Sequence, residues 1–362
     1  MGVNGLLKFI RQKSPGLIVE IPIESLFGQR IAVDASVYLY KFVCIENSGG
    51  TKWYDMFFNL VVWLRSQNIR PVFVFDGKPP DEKTETQQKR RDTRKDTMEK
   101  IQKLEKIINM VDELENDEVP TKILVMISNA MKIDMTGQSI IQIRYSLYEQ
   151  YKKEKSRHIE ITPEHPKIIK RFLDLMGLPW FQATGEAEKT CAWLCKYGYV
   201  KGVVSTDSDL IAYCVPVFIQ NVHAFRPTCN IIRTEDVLES FEFTEEQLRD
   251  FCLMCGTDYN SRIYGIGPVK SFDLLTKHQS LEQIEKSGID TSSLYYQNGR
   301  QLFTLPKKDC AHEMVEGYYD ELTIPRIKEI DSSIDDFLEE LDSSHSYESI
   351  MRRQYKPVFV TE

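Results

Sequence analysis

Three short apolar, β-branched runs of this chain each end in aspartate. They are Arg30-Ile31-Ala32-Val33-Asp34, Pro71-Val72-Phe73-Val74-Phe75-Asp76 and Val203-Val204-Ser205-Thr206-Asp207-Ser208-Asp209. Such runs read as buried strands that stop at a polar sheet edge. Between the first two, Met56 to Leu64 is apolar and aromatic at helical spacing, which suits a core helix. Buried strands alternating with helices call for a parallel sheet wound by crossover helices. The expected class is α/β, a central, mainly parallel sheet flanked by helices. Ligands of such sheets sit outside the carboxyl ends of the strands, where these aspartates fall. Taken alone, Asp207 and Asp209 also fit an Asx-rich turn with solvated side chains. As neighbours at i and i+2 they repel each other and need a positive charge, a hard cation first among candidates.

The rest of the chain adds to that set. Gly185-Glu186-Ala187-Glu188 leads into Ala192-Trp193-Leu194 and reads as a helix start with acids in its first turn. The helix dipole alone would favour acids there. Cys255-Gly256-Thr257-Asp258-Tyr259 brings one more carboxylate, and Ile263-Tyr264-Gly265-Ile266-Gly267-Pro268-Val269-Lys270 follows it directly. A G-I-G turn between two short helices presents backbone N–H groups to a phosphate, the pattern of a helix-hairpin-helix that grips a nucleic-acid backbone without reading bases. From Asp81 to about Arg157 the chain is charged, helical in propensity and short of glycine, with a loop at Glu113–Pro120 and a break near Thr136-Gly137. Ile101, Leu104, Ile107, Ile108, Val111 and Leu114 repeat at three and four, so one side of that insertion packs. The net charge of −8 argues against a nucleic-acid partner unless acids are clustered around bound cations, which invert the local field. Eight scattered cysteines, no signal peptide and no long apolar span point to a reduced, intracellular, soluble protein without a membrane partner. The CxxC at Cys252 and Cys255 has no second pair to complete a zinc site and reads as buried core thiols.

Taken together, MGVNGL, IAVDAS, VFVFDGKPP, GEAEKTCAWL, STDSDL, CGTDY and IYGIGPVKS, in this order, resemble the flap endonuclease/XPG family of structure-specific 5′ nucleases from the first residue to about residue 285. The resemblance implies a PIN-like 5′-nuclease fold with a helical arch insertion and a cluster of acids holding two divalent metals. Carried over by position, the metal-site acids are Asp34, Asp76, Glu186, Glu188, Asp207, Asp209 and Asp258. All-oxygen donors favour Mg²⁺, with Mn²⁺ as substitute. Two such ions about 4 Å apart would stabilise the attacking and leaving oxygens of phosphodiester hydrolysis. Lys83 and Arg90, seven residues apart and so on one helix face, match a lysine and an arginine that the family turns to the scissile phosphate. Tyr40 matches an aromatic on which a base stacks, and Gly2 is assigned a place beside the active site. Gly265, Gly267 and Lys270 would contact the DNA backbone.

The implied domain plan is one nuclease core over 1–285, with an N-terminal region at 1–80, an arch at 81–157, an internal region at 158–258 and a helix-hairpin-helix at 259–285. A helical extension at 286–362 packs on it. Within that extension Ile334, Phe337, Leu338 and Leu341 share one face of an acidic helix. The chain departs from the family at the hairpin. Arg262 stands where a serine serves the monovalent-ion site, leaving a K⁺ there only backbone carbonyls, and Val269 replaces a basic residue. Pro306 to Glu362 shows no sliding-clamp-binding box and no basic tail. The implied function is a Mg²⁺-dependent 5′ endonuclease, with 5′–3′ exonuclease activity in its compass, acting on branched DNA and above all on 5′ flaps in replication, repair and recombination, as a monomer. Its location would be nuclear, or wherever viral or organellar DNA replicates. The alternatives are a Holliday-junction or bubble-cutting relative and a junction-binding protein without chemistry. A Rossmann nucleotide-binding protein is set aside because no glycine-rich loop follows the first strand.

Overall fold

The computed structural model describes residues 2–78, 80, 83–114, 118–318 and 322–354. The chain forms two compact units, one of Met1–Leu39, Phe57–Lys83 and Glu164–Glu362, the other of Tyr40–Met56 and Thr84–Pro163.

The first unit is built on a seven-stranded sheet. Its strands are β1 (Val19–Pro22), β2 (Arg30–Asp34), β3 (Arg70–Phe75), β4 (Trp180–Gln182), β5 (Val203–Val204), β6 (Val217–Gln220) and β7 (Thr228–Arg233). The order across the sheet is β1-β7-β6-β5-β2-β3-β4. The run from β4 to β6 is parallel, whereas β7 is antiparallel to β6 and β1 antiparallel to β7. Ile31 to Asp34 and Pro71 to Phe75 are buried without alternation, as strands covered on both faces must be. After β2 the chain steps outward through β3 and β4, then returns to lay β5 against the other side of β2, with Val33 opposite Val204. That reversal is the topological switch point of the sheet, and it falls where Asp34, Asp207 and Asp209 occur.

The antiparallel edge of β6, β7 and β1 was not anticipated. Each of β1 and β6 is four residues long, and a strand that short leaves no clear alternation to read. Helix Ala187–Lys196, buried at Cys191, Ala192, Trp193 and Leu194, packs with β2 and β3 in the main core. Cys252 and Cys255 lie buried on helix Glu245–Cys255, and burial pushes both thiols up. Helix Ile334–Glu340 buries Ile334, Phe337 and Leu338, with the Phe337 ring 6.1 Å from Phe58 and 6.5 Å from Phe172. The acidic face of this helix thus remains outward while its apolar face joins the body.

The second unit has its own core. Helix Thr84–Asp112 packs on Thr121–Met131 and Ile140–Arg157 through Leu104, Ile107, Ile108, Val111, Ile127, Ile143 and Leu147. The three-and-four spacing fixes this face, whereas Arg91 to Asp96, in the charged part of the long helix, is exposed. Ser139 starts the last helix with a capping box, accepting from the Gln142 N–H while the Gln142 side chain returns to the Ser139 N–H.

One buried ion cluster ties the carboxyl-terminal helices of the first unit. Arg300, on helix Tyr296–Leu302, donates to Asp250 at 2.7 and 2.6 Å and to Glu282 at 2.6 Å. The Arg300 hydrogen bonds pull the Glu282 carboxyl down to about 2. Asp250 is 1 % exposed, so removing its partner strands a charge in the core. Arg300→Met should destabilise the fold by about 3–5 kcal/mol in urea unfolding. Glu246→Ala, at the solvent rim of the same cluster, should cost under about 1 kcal/mol.

Candidate active site

Five segments bring carboxylates to, or beside, the carboxyl ends of the parallel strands. Asp34 ends β2 and is 1 % exposed. Its Oδ1 accepts from the Val37 N–H at 3.2 Å and its Oδ2 from the Ser205 hydroxyl at 3.1 Å. Ser205 also accepts from the Asp207 N–H at 3.1 Å, so one hydroxyl couples the ends of β2 and β5. Asp207 Oδ1 in turn accepts from the Asp209 N–H at 3.0 Å, the turn geometry that the i, i+2 spacing suggests. Asp76 follows β3, is more open to solvent, and accepts from the Ala187 N–H at 2.8 Å. It therefore caps the helix that carries Glu188 in its first turn, with Glu186 at the N-cap position. Asp258 lies just past helix Glu245–Cys255.

Lys83 sits among these acids rather than on an open surface. Its ammonium pairs with Glu186, stands 3.4 Å from Asp258 Oδ2, and lies 5.2 Å from the centre of the Tyr259 ring. The Tyr259 hydroxyl donates to Glu186. Burial alone would lower the Lys83 ammonium, but Glu188, Glu186 and Asp258 outweigh it and hold it well above its ordinary value. Lys83 is thus a fixed positive charge.

The acids show the opposite tendency. Burial is the largest cause in each of five cases and pushes Asp34, Glu186, Glu188, Asp207 and Asp209 up. Like charges add to it, from Asp76 on Asp34, from Asp207 on Glu188 and from Asp207 on Asp209. Both carboxylate oxygens of Asp209 and Oε1 of Glu188 are buried without a hydrogen-bond partner. Orphaned anionic oxygens of this kind are costly unless a cation or proton meets them. The donor set is oxygen only, which suits a hard divalent cation. Among the described residues, no three His, Cys, Asp or Glu side chains already close on a single point as a finished cage.

The amino terminus belongs to the same site. Gly2 has φ +87°, and a Cβ there would lie 2.1 Å from Asp207 Oδ1 and 2.7 Å from the Asp209 nitrogen. Only glycine fits both that backbone angle and that approach. Asn4 N–H donates to the Gly256 carbonyl at 2.9 Å, and the Ser208 hydroxyl to the Val3 carbonyl at 3.4 Å, which fastens the segment over the loop of Asp207 and Asp209. At the hairpin, Gly265 has φ +73° and Gly267 precedes helix Pro268–His278. Lys270 donates to the Gly265 carbonyl at 3.1 Å and closes the turn. Tyr264, at its tip, is fully exposed. Tyr40 is 43 % exposed and belongs to the second unit. Arg90 falls in helix Thr84–Asp112 of that unit, with its side chain outside the described residues.

This arrangement has counterparts among known proteins. The profile of the XPG N-terminal domain matches residues 1–97 and that of the XPG I-region residues 177–258. Flap endonuclease 1-A of Sorghum bicolor is 31% identical over 327 residues, covering 84% of this chain and 76% of that protein. The chain belongs to the flap endonuclease/XPG family. Its members are divalent-metal-dependent hydrolases of phosphodiester bonds. Flap endonuclease 1 of Babesia bovis is also 31% identical, over 319 residues and 85% of this chain, but the chain spans only 42% of that longer protein. In three dimensions the chain is similar to the catalytic core of Rad2 in complex with DNA substrate, with a TM-score of 0.61 at 20% identity over 97% of this chain and 98% of that one. That likeness establishes the fold.

Ser205, Ser36 and Tyr259 were not singled out from the sequence. Ser36 accepts from the Asp76 N–H at 3.0 Å through its hydroxyl, orienting the end of β3. Each of the three is at most two residues from a motif aspartate, which is the signal that could have found them.

Two outcomes follow from this geometry. Carboxyls raised in the folded state favour the fold below their unfolded values, and that contribution is lost as pH rises through the folded values. In chelator, the unfolding temperature should therefore fall as pH increases from about 5 to 8. Saturating Mg²⁺ should flatten that dependence, and Asp209→Asn, which removes one of the raised acids, should weaken it without the cation. Gly2→Ala should reduce cleavage on the order of a hundredfold by displacing the Asp207–Asp209 loop, measured as single-turnover rates.

Proposed function

We propose that this chain is a Mg²⁺-dependent, structure-specific 5′ nuclease that hydrolyses branched DNA near a single-strand/double-strand junction, with 5′ flaps as its main substrate. The observation that carries the reading is Asp209, with both oxygens buried and unpartnered beside Asp207 and Glu188. Asp34, Asp76, Glu186, Glu188, Asp207, Asp209 and Asp258 would hold the cations. When bound, these would activate water and stabilise charge on the phosphoryl oxygens.

The chain's own residues supply the rest. Ser205 and the Val37 N–H orient Asp34, and the Ala187 N–H orients Asp76, so neither carboxylate rotates away from the strand ends. Lys83, held protonated by its acidic neighbours, places a positive charge where negative charge develops on the scissile phosphate. Tyr259 donates to Oε2 of Glu186 while Lys83 takes Oε1, so both oxygens are held. Arg90 would add a second cation and Tyr40 a stacking surface for a base at the junction. The turn at Gly265 and Gly267 offers backbone N–H groups to duplex phosphates, and Lys270 a charge beside them. Strand scission then leaves a 5′-phosphate and a 3′-hydroxyl. A protein of this kind works in replication, repair or recombination, in the nucleus or at another site of DNA replication.

The test is a panel of end-labelled 5′-flap, pseudo-Y, nicked, gapped, bubble and four-way substrates in Mg²⁺. Wild-type protein should cut the 5′ flap fastest, close to the junction. Asp207→Asn should lose activity on the order of a hundredfold or more. A variant as fast as wild type would remove Asp207 from the site. Equal rates on all substrates would remove structure specificity, and symmetric cuts in the four-way substrate alone would make the protein a junction-resolving relative.

A further inference from the structure

The acids occupy the carboxyl ends of the strands, and the opposite ends of β2 and β3 carry a second charged feature. Arg30 and Arg70 open these two strands and are direct register partners across the parallel pair. Register partners on adjacent strands stand roughly 5 Å apart and leave the sheet on the same side. Like charges in that relation destabilise the pair unless something neutralises them. Arg65 and Arg326 join them around one groove of about 700 Å³, with Pro71 and Pro179 in its wall. Among the described residues, no acidic side chain lines it. In a chain with net charge −8, four arginines gathered without an acid stand against the overall composition.

The four are not equivalent. Arg65 donates to the Met176 carbonyl and, at 3.1 Å, to that of Lys328, and so holds the groove's walls together. Arg30 reaches the Tyr199 carbonyl at 3.5 Å, the limit of a hydrogen bond. Arg70 and Arg326 are exposed, and among the described residues neither forms an ion pair. A guanidinium offers a planar fork of donors that matches the oxygens of a phosphate, as of a carboxylate, bidentately. Prolines in the wall and the Arg65 bonds to Met176 and Lys328 brace the groove itself.

We propose that this groove is a second phosphate-binding site, distinct from the acid cluster, with Arg70 and Arg326 as its ligand-contacting residues and Arg30 as their neighbour. The phosphate belongs either to a nucleic-acid strand passing the amino ends of the sheet or to a free nucleotide. The groove's volume falls in the range of small-ligand sites. The site does not depend on the reading of the acids, because it shares no residue with them.

The test uses the full chain with Arg70→Gln/Arg326→Gln and, separately, Arg326→Gln, all in chelator so that no substrate is cut. Anisotropy with a labelled 5′-flap DNA bearing long duplex arms measures strand binding as salt is varied. Thermal unfolding with inorganic phosphate and with a nucleoside monophosphate measures free-ligand binding. If a strand is the ligand, the double variant binds DNA on the order of tenfold more weakly, and its log–log salt slope falls by about two. If a nucleotide is the ligand, DNA binding is unchanged and the rise in unfolding temperature given by phosphate or nucleotide disappears. The single variant should show an intermediate loss in the same arm. Wild-type DNA affinity, salt slope and phosphate response in the double variant would overturn the proposal. Cleavage of saturating DNA in Mg²⁺ should stay at the wild-type rate, which separates this outcome from a failure of the acid cluster.

Discussion

The mutual repulsion of carboxylates buried together at one sheet edge governs this structure. Asp34, Glu188, Asp207 and Asp209 are each under a tenth exposed and raised by burial, and like charges push Asp34, Glu188 and Asp209 up further. A fold tolerates such a group only where positive charge is at hand. One source is built in, the Lys83 ammonium against Glu186 and near Asp258. It leaves Asp209 and one oxygen of Glu188 unmet. Those are the atoms we propose a divalent cation would meet, and burying them unmet costs the metal-free chain stability.

The architecture supplies the crowding. Because β5 returns to the side of β2 that β3 leaves open, loops from both halves of the sheet meet over one point. Short side chains then lock them: Ser205 joins β2 to β5, and the Ala187 N–H joins β3 to the helix of Glu188. Gly2 completes the site by letting the amino-terminal backbone approach Asp207 more closely than any side chain would permit. Cores on either side carry the stability that the site lacks, including the aromatic packing of Phe9, Phe241, Phe251 and Phe272. Strain and support are thus segregated within the first unit.

Much of this was legible in the sequence because its signals are local. The apolar runs before Asp34 and Asp76 marked parallel strands, and the spacing at Leu104, Ile107, Ile108 and Val111 marked one packed face of the long helix. What could not be read was what depends on contacts far along the chain. Lys83 reads as a surface charge beside the arch, yet it is buried against Glu186, 103 residues away. Ser205 is an ordinary turn serine until Asp34, 171 residues away, is placed beside it. Strands β1 and β6, four residues each, are too short for periodicity to announce, and the cross-strand pair Arg30 and Arg70 appears only with the register.

The central claim is that the orphaned oxygens of Asp209 and Glu188 are cation ligands. Crystals grown with Mn²⁺ and measured at a wavelength where manganese scatters anomalously would test it directly. The account predicts an anomalous peak bonded to Asp209 and Glu188, or to a water they hold, with the Lys83 ammonium still beside the acids. No peak among these carboxylates at a saturating concentration of the ion, with Asp209 buried as before, would contradict it.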